Sequence, residues 1–231
     1  MKNREDSGLL YHGSWVIVPF PDLAKGKANN DYGRGFYCTA EIGMAREWAC
    51  KDGTDGFVNT YQLNKKGLSE LNLADGTHTV LNWIAMLLKN RTFHLSSPLA
   101  ADARDYLIAH FSLDPGPYDL VTGYRADDSY FQYAEAFVQN TLSLRGLGRA
   151  LNLGRLGLQT ALVSEKAFQQ LRFVSAEPVK KERYYPKFID RDISARMAWK
   201  NDVRVGRAYR DDLFVLDILR EEIRNDDPRV Q

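Results

Sequence analysis

Cysteine is scarce in this 231-residue chain: only Cys38 and Cys50 occur, twelve residues apart and in no CxxC arrangement. A disulfide framework and a cysteine-rich metal site are both excluded on that count. Two reduced thiols suit a cytoplasmic protein. Charge of one sign is also lacking, since 31 Lys+Arg face 30 Asp+Glu and leave a formal +1. No overall field therefore draws the chain to nucleic acid or membrane, and either partner would need a local patch. The longest apolar runs, such as Trp83–Leu88, fall well short of the ~20 residues of a spanning helix. Met1–Ser7 is polar and charged, with no apolar segment of the secretory type, so a cytoplasmic location is expected. His78, His94 and His110 show no HExxH or paired spacing, so no metal is expected. There is no internal repeat and no low-complexity linker.

What is present is an ordinary globular composition, 44% hydrophobic and 26% charged, enough for a real core. Leu9–Tyr11 reads as a short strand stopping at His12-Gly13, and 19–35 reads as a Pro/Gly/Asn/Asp-rich loop. Gly35–Thr39 is a second strand, followed by a helix from near Glu41 with Ile42, Ala45, Trp48 and Ala49 at helical spacing. Phe57–Leu63 alternates as a strand, Thr79–Asn90 and Leu99–Phe111 read as helices, and Tyr118–Thr122 as a strand. A helix is expected over about Ser129–Asn140, capped by Asp128. Leu144–Gly157 holds too many glycines for a helix assignment. Leu158–Val163 returns to strand, Ser164 caps a short helix to Leu171, and Glu182–Val230 is charged and helical. These readings predict one α+β domain over 1–231, with a core at about 8–177 and a C-terminal helical extension at about 178–231.

Three segments combine a strand end with a tight turn: Leu10-Tyr11-His12-Gly13-Ser14, Tyr32-Gly33-Arg34-Gly35-Phe36-Tyr37-Cys38-Thr39-Ala40, and Leu158-Gln159-Thr160-Ala161. Gly33-x-Gly35 is no dinucleotide fingerprint, because the third glycine is missing and a strand follows directly. Each segment alone is ordinarily structural. In this order they resemble the ADP-ribosyltransferase superfamily, in the His–Tyr–Glu branch of poly(ADP-ribose) polymerases and diphtheria-like toxins. His12-Gly13-Ser14 matches its first motif and Gly35-Phe36-Tyr37-Cys38-Thr39 its second. Trp48 stands eleven residues beyond Tyr37, where the branch has a second aromatic, and Gln159 stands at the catalytic glutamate. The resemblance spans roughly residues 9–175. It also looks like a bacterial branch of unassigned function with Gln at the third position.

The resemblance implies a split, mostly antiparallel two-sheet core and NAD+ as the consumed substrate, with cleavage of the nicotinamide–ribose bond through an oxocarbenium-like state. His12 would fix the ribose, and the backbone of Gly13 would approach the carboxamide where a side chain would collide. Tyr37 and Trp48 would pack the nicotinamide ring, at roughly 0.5–1.5 kcal/mol per stack beyond burial. Ser14 would add a hydroxyl, and Gly35 would shape the turn. Gln159 would orient the reacting sugar by a hydrogen bond but without charge, and one lost electrostatic contact typically costs about 2.7–4 kcal/mol in the transition state. On this view Gln159→Glu leaves turnover unchanged or raises it.

Two departures bear on ligand and acceptor. Ala45 stands where many members place a carboxamide-binding Ser, and Gly157 is not the Glu or Gln of arginine-modifying transferases. Arg145, Arg149 and Arg155 lie in the segment that commonly recognises the acceptor, so they are candidates for an acidic or phosphate-bearing protein or nucleic acid. The expected function is mono-ADP-ribosyl transfer. NAD+ glycohydrolysis and a catalytically silent NAD+- or ADP-ribose-binding module are the alternatives. Analogy adds a toxin held by an antitoxin or immunity partner.

Overall fold

Strand β3 (Gly56–Leu63) organises the first sheet of the computed structural model, which describes residues 8–126, 128–152, 157–205 and 212–231. β1 (Leu9–Ser14) and β7 (Leu171–Val179) flank β3, both antiparallel, in the order β1-β3-β7. The second sheet runs β2 (Phe36–Cys38), β6 (Leu158–Leu162), β5 (Leu120–Tyr124), β4 (Glu70–Asn72). Its pairs are antiparallel except β4 with β5. The fold is thus α+β with two mostly antiparallel sheets, joined where Tyr11 and Thr39 exchange backbone hydrogen bonds of 2.8 and 2.9 Å.

Strand alternation decides what each face meets. Phe36, Cys38, Leu120 and Leu162 of the second sheet pack with Leu10 and Leu63 of the first. Tyr37, Val121 and Ala161 turn the other way, into the main core. That core is closed by α2 (Val80–Asn90), α3 (Pro98–Phe111), α4 (Asp128–Val138), α5 (Leu144–Asn152) and α8 (Val215–Arg220). α2 is apolar almost all round, with Leu81 through Leu88 buried, which is the pattern of a central helix. α6 (Glu165–Gln169) starts at Ser164, whose hydroxyl accepts from the Ala167 N–H as the sequence predicts. α7 (Lys181–Val205) follows β7 directly.

Three elements depart from the sequence reading. α5 is helical despite Gly146 and Gly148, because Leu144, Leu147, Ala150 and Leu151 bury at helical spacing, and packing outweighs the glycine penalty of ~1 kcal/mol each. β7 was unforeseen, since its side chains are largely half-exposed and give no buried alternation. β4 is only three residues long. The capping read for Asp128 lies outside the described side chains.

Helix α1 (Ile42–Ala49) lies against the first sheet at unusually close range. A Cβ on Gly13 would sit 2.0 Å from the Ala45 carbonyl oxygen, and one on Gly56 2.2 Å from that of Ala49. Both glycines are therefore required by helix approach. Gly43, on the same helix, has open space where a Cβ would go. Gly13→Ala is expected to cost at least about 3 kcal/mol, the upper end of overpacking. Gly43→Ala should be neutral or stabilise by up to about 1 kcal/mol. Urea midpoints of the two variants test this, and equal midpoints would contradict the packing assigned to Gly13.

Candidate functional site

β1 carries His12 to the junction of the two sheets. Its ring lies 4.5 Å from Phe36, and Nδ1 is 2.8 Å from the Tyr37 carbonyl oxygen. A carbonyl only accepts, so Nδ1 holds the proton and Nε2 of the neutral ring is left as an acceptor. Burial holds the imidazole below its ordinary value near 6.5, and the bond to Tyr37 only partly opposes this. The neutral ring is therefore the resident form.

Gly13, the next residue, has a second property besides accommodating α1. Tyr11 turns its N–H and C=O toward Thr39, away from β3. Strand alternation turns those of Gly13 to the same side, one step past the bridge, and neither takes a partner among the described residues. Trp48 packs beside it, its Cβ 2.9 Å from the position a Gly13 Cβ would take. The indole Nε1 of Trp48 is buried and has no hydrogen-bond partner among the described residues. One ring face of Trp48 carries the Arg125 guanidinium, 4.5 Å from the centroid.

Ser14 is not turned to this place. Its hydroxyl donates to the Val16 carbonyl at 2.5 Å and accepts from Asn59 Nδ2 at 3.1 Å. Asn59, unremarked in the sequence, thereby ties the chain after β1 down over β3, also accepting from Val18 N–H at 2.8 Å. Gly35 serves packing: a Cβ there would come within 2.9 Å of the Leu162 carbonyl oxygen.

Tyr37 and Gln159 share the face of the second sheet that meets the main core. The Tyr37 hydroxyl accepts from Tyr32 N–H at 2.9 Å and donates to the Gly33 carbonyl at 2.8 Å, so it fixes the glycine-rich turn. Tyr32 stacks on Tyr37 with centroids 6.4 Å apart, and its hydroxyl donates to the Tyr124 carbonyl at 2.5 Å. Burial, with the Asp31 charge adding to it, pushes the Tyr32 phenol well above its usual value. Among the described residues no ring contact joins Tyr37 to Trp48.

Gln159 is buried at 4% exposure, and its Nε2 donates to Asp31 Oδ2 at 2.7 Å. Asp31, 5% exposed, also accepts from Ala126 N–H at 3.0 Å and from Arg91 at 2.6 Å. Sequence reasoning missed this cluster. Asp31 sits in a loop rich in Asn, Asp and Gly, and its partners lie 60 to 128 residues away, so no local signal exists. The cluster bears on the expectation that Gln159→Glu leaves turnover unchanged or raises it. A carboxylate at 159 would face Asp31 in a buried setting, where two negative charges repel.

The start of β6 opens on a pocket of about 370 Å³ between Glu41, Gly43, Met44, Gly157 and Arg191. Arg191 of α7 reaches Glu47 of α1 with two nitrogens, at 2.8 and 2.7 Å. Of the candidate acceptor arginines, Arg145 pairs with Asp212 at 3.2 Å and lines a second pocket of about 460 Å³ with His78, Thr79 and Arg229. Arg149 lies on α5 with its Nε buried. Arg155 lies outside the described residues. Cys50 is buried with its thiol pushed up chiefly by burial, the opposite of an activated nucleophile. No metal-holding group of His, Cys, Asp or Glu occurs among the described residues, and no described helix is long and apolar enough to cross a membrane.

The lowered His12 value has a defined consequence for stability. Folded His12 refuses a proton that the unfolded chain accepts, so its contribution is complete above about pH 6.5 and is lost as pH falls through the folded value. Unfolding free energy should therefore decline below that pH more steeply in wild type than in His12→Gln, by up to about 1.4 kcal/mol per pH unit. Parallel curves from urea titrations between about pH 5 and 7 would contradict a buried neutral His12.

Comparison with known proteins adds one match. Residues 9–173 fit the model of DUF3990, described as a protein of unknown function, and this match takes in both sheets up to the first residues of β7. No curated protein and no solved structure matches the chain. With well over half of its length covered, the chain belongs to the DUF3990 family.

Proposed function

We propose that this chain is an NAD+-dependent mono-ADP-ribosyltransferase with the fold of that superfamily, acting on a macromolecular acceptor. The observation that carries the reading is the juxtaposition at the end of β1. There an imidazole with Nε2 left as acceptor adjoins a backbone N–H and C=O that take no partners among the described residues, beside a buried indole N–H that likewise takes none among them. A nicotinamide carboxamide needs one donor and one acceptor side by side, and Gly13 offers both. Trp48 supplies a ring surface and a further donor, and Arg125 on its face would give way to, or sit against, the ligand. A ribose hydroxyl would donate to His12 Nε2.

In the reaction, the glycosidic C–N bond breaks and its electron pair leaves on nicotinamide. An acceptor heteroatom then forms the new bond to the same carbon and releases its proton. The residues of this chain contribute binding and orientation: His12 holds the sugar, Gly13 and Trp48 hold the leaving group, and Tyr37 orients His12 through its backbone carbonyl while its hydroxyl fixes the glycine-rich turn. The pocket at Gly157 and Arg191, where β6 begins, is a candidate place for an acceptor. Arg145 is committed to Asp212 and the pocket at the cap of α2, which suits an acceptor less well than the sequence suggests. A toxin role with a neutralising partner is a further expectation of the resemblance.

The test is incubation with NAD+ labelled in its adenylate part, with and without cell extract, for wild type and His12→Ala. Label should pass to protein or nucleic acid and fall at least 100-fold in His12→Ala. Free nicotinamide without transferred label would make the chain a glycohydrolase. Binding that is lost in His12→Ala, with no turnover, would make it a silent NAD+-binding module. Absence of both binding and turnover would contradict the assignment.

A further inference from the structure

The site has no carboxylate at the start of β6, yet a carboxylate lies one hydrogen bond behind position 159. The side chain of Gln159 is oriented without ambiguity. Asp31 can only accept, so the amide nitrogen must face it, and the 2.7 Å contact fixes it there. Oε1 is then the accepting atom of Gln159, and the Tyr32 phenol is a further hydrogen-bond neighbour of this amide. Both residues are at least nine-tenths buried, 5% and 4% exposed. In such surroundings a charge is screened weakly, and a donor–acceptor chain polarises along its length.

Asp31 is held from three directions. Arg91, at the C-terminal end of α2, bonds Oδ1 at 2.6 Å, while Ala126 N–H, just past β5, and Gln159 both reach Oδ2. Three donors and no proton-sharing acceptor form the contact set of a carboxylate. The Tyr37 hydroxyl bonds Tyr32 N–H, and Tyr32 follows Asp31 directly, so the same turn sets the aromatic residue and the charge.

We propose that Asp31 is the charge-bearing partner of Gln159: the negative charge that steadies the developing oxocarbenium sits on the glycine-rich loop and acts through the Gln159 amide. The inference rests on the NAD+-cleaving reading above. Asp31 is here a positioning and electrostatic residue, and Gln159 is the group that meets the sugar. The neutral residue at 159 is then required by Asp31, since a second buried carboxylate 2.7 Å away could not remain ionised beside it.

Charge transposition separates this role from simple loop anchoring. Four chains are compared, wild type, Asp31→Asn, Gln159→Glu and the double variant, by nicotinamide release from NAD+ and by thermal unfolding. Asp31→Asn should lower kcat by about 100-fold or more with KM for NAD+ changed less than about threefold. Gln159→Glu should lower both Tm and kcat. The double variant reverses the pair, with an amide at 31 donating to a carboxylate at 159, and should recover kcat to within about tenfold of wild type but only part of the Tm, because the Ala126 N–H, which shares Oδ2 with Gln159, loses its acceptor. A folded Asp31→Asn variant with wild-type kcat would overturn the inference. So would a double variant that regains that part of the Tm but not kcat, because Asp31 would then be an anchor alone. Wild type that releases no nicotinamide would overturn the transferase reading and this inference with it.

Discussion

The ion and hydrogen-bond cluster at Asp31 holds the site together. Removing a carboxylate from water costs several kcal/mol unless donors replace that water. Here the replacements come from three separate parts of the chain: Arg91 ending α2, Ala126 following β5, and Gln159 on β6. Loss of any one would leave a buried charge short of a partner. The loop between β1 and β2 is thus pinned to the second sheet by electrostatics, and Tyr32 and Tyr37 are fixed as a consequence. The exposed flank of Arg91 matters less than the desolvated pair behind it, because screening falls as water is excluded.

The other half of the site follows from shape. Gly13 and Gly56 let α1 approach the first sheet more closely than any side chain would permit. That approach brings Trp48 beside β1, while the divergence of β2 from β1 on the Tyr37 side of Thr39 uncovers the peptide edge of Gly13. Meanwhile the Tyr37 carbonyl determines which nitrogen of His12 carries the proton. A rim of acceptors and donors is assembled by backbone geometry, with a single imidazole added, and burial keeps that imidazole neutral. Such an arrangement suits a neutral carboxamide and a sugar better than it suits a metal ion.

Much of this was legible in the sequence wherever the cause was local. Alternation marked β3, apolar periodicity marked α2, and Ser164 announced α6. The motif order singled out His12, Gly13, Tyr37, Trp48 and Gln159, all of which lie at or near the junction of the sheets. What escaped was non-local. Asp31 reads as one more polar loop residue, because Arg91 and Gln159 are far away in sequence. Ser14 reads as a free hydroxyl until Asn59, diagonal to it on β3, is seen to occupy it. Gly13 reads as an allowance for a ligand, whereas its missing side chain is needed by α1 and the part of it without a partner among the described residues is the peptide edge. The strand β7 escaped because a half-exposed strand leaves no alternating burial to find.

The most direct test of an NAD+ site at this junction is to observe Trp48 itself. The chain has four tryptophans, so a ¹⁵N-indole-labelled sample gives a spectrum simple enough to assign by substitution. Titration with NAD+ should shift the Trp48 indole N–H saturably, as it gains an acceptor and its ring exchanges the Arg125 guanidinium for a ligand. The Trp83 indole, already bonded to the Tyr124 carbonyl at 3.0 Å, should stay in place. A saturable shift at another tryptophan with Trp48 unmoved, or no shift at millimolar NAD+, would contradict the account.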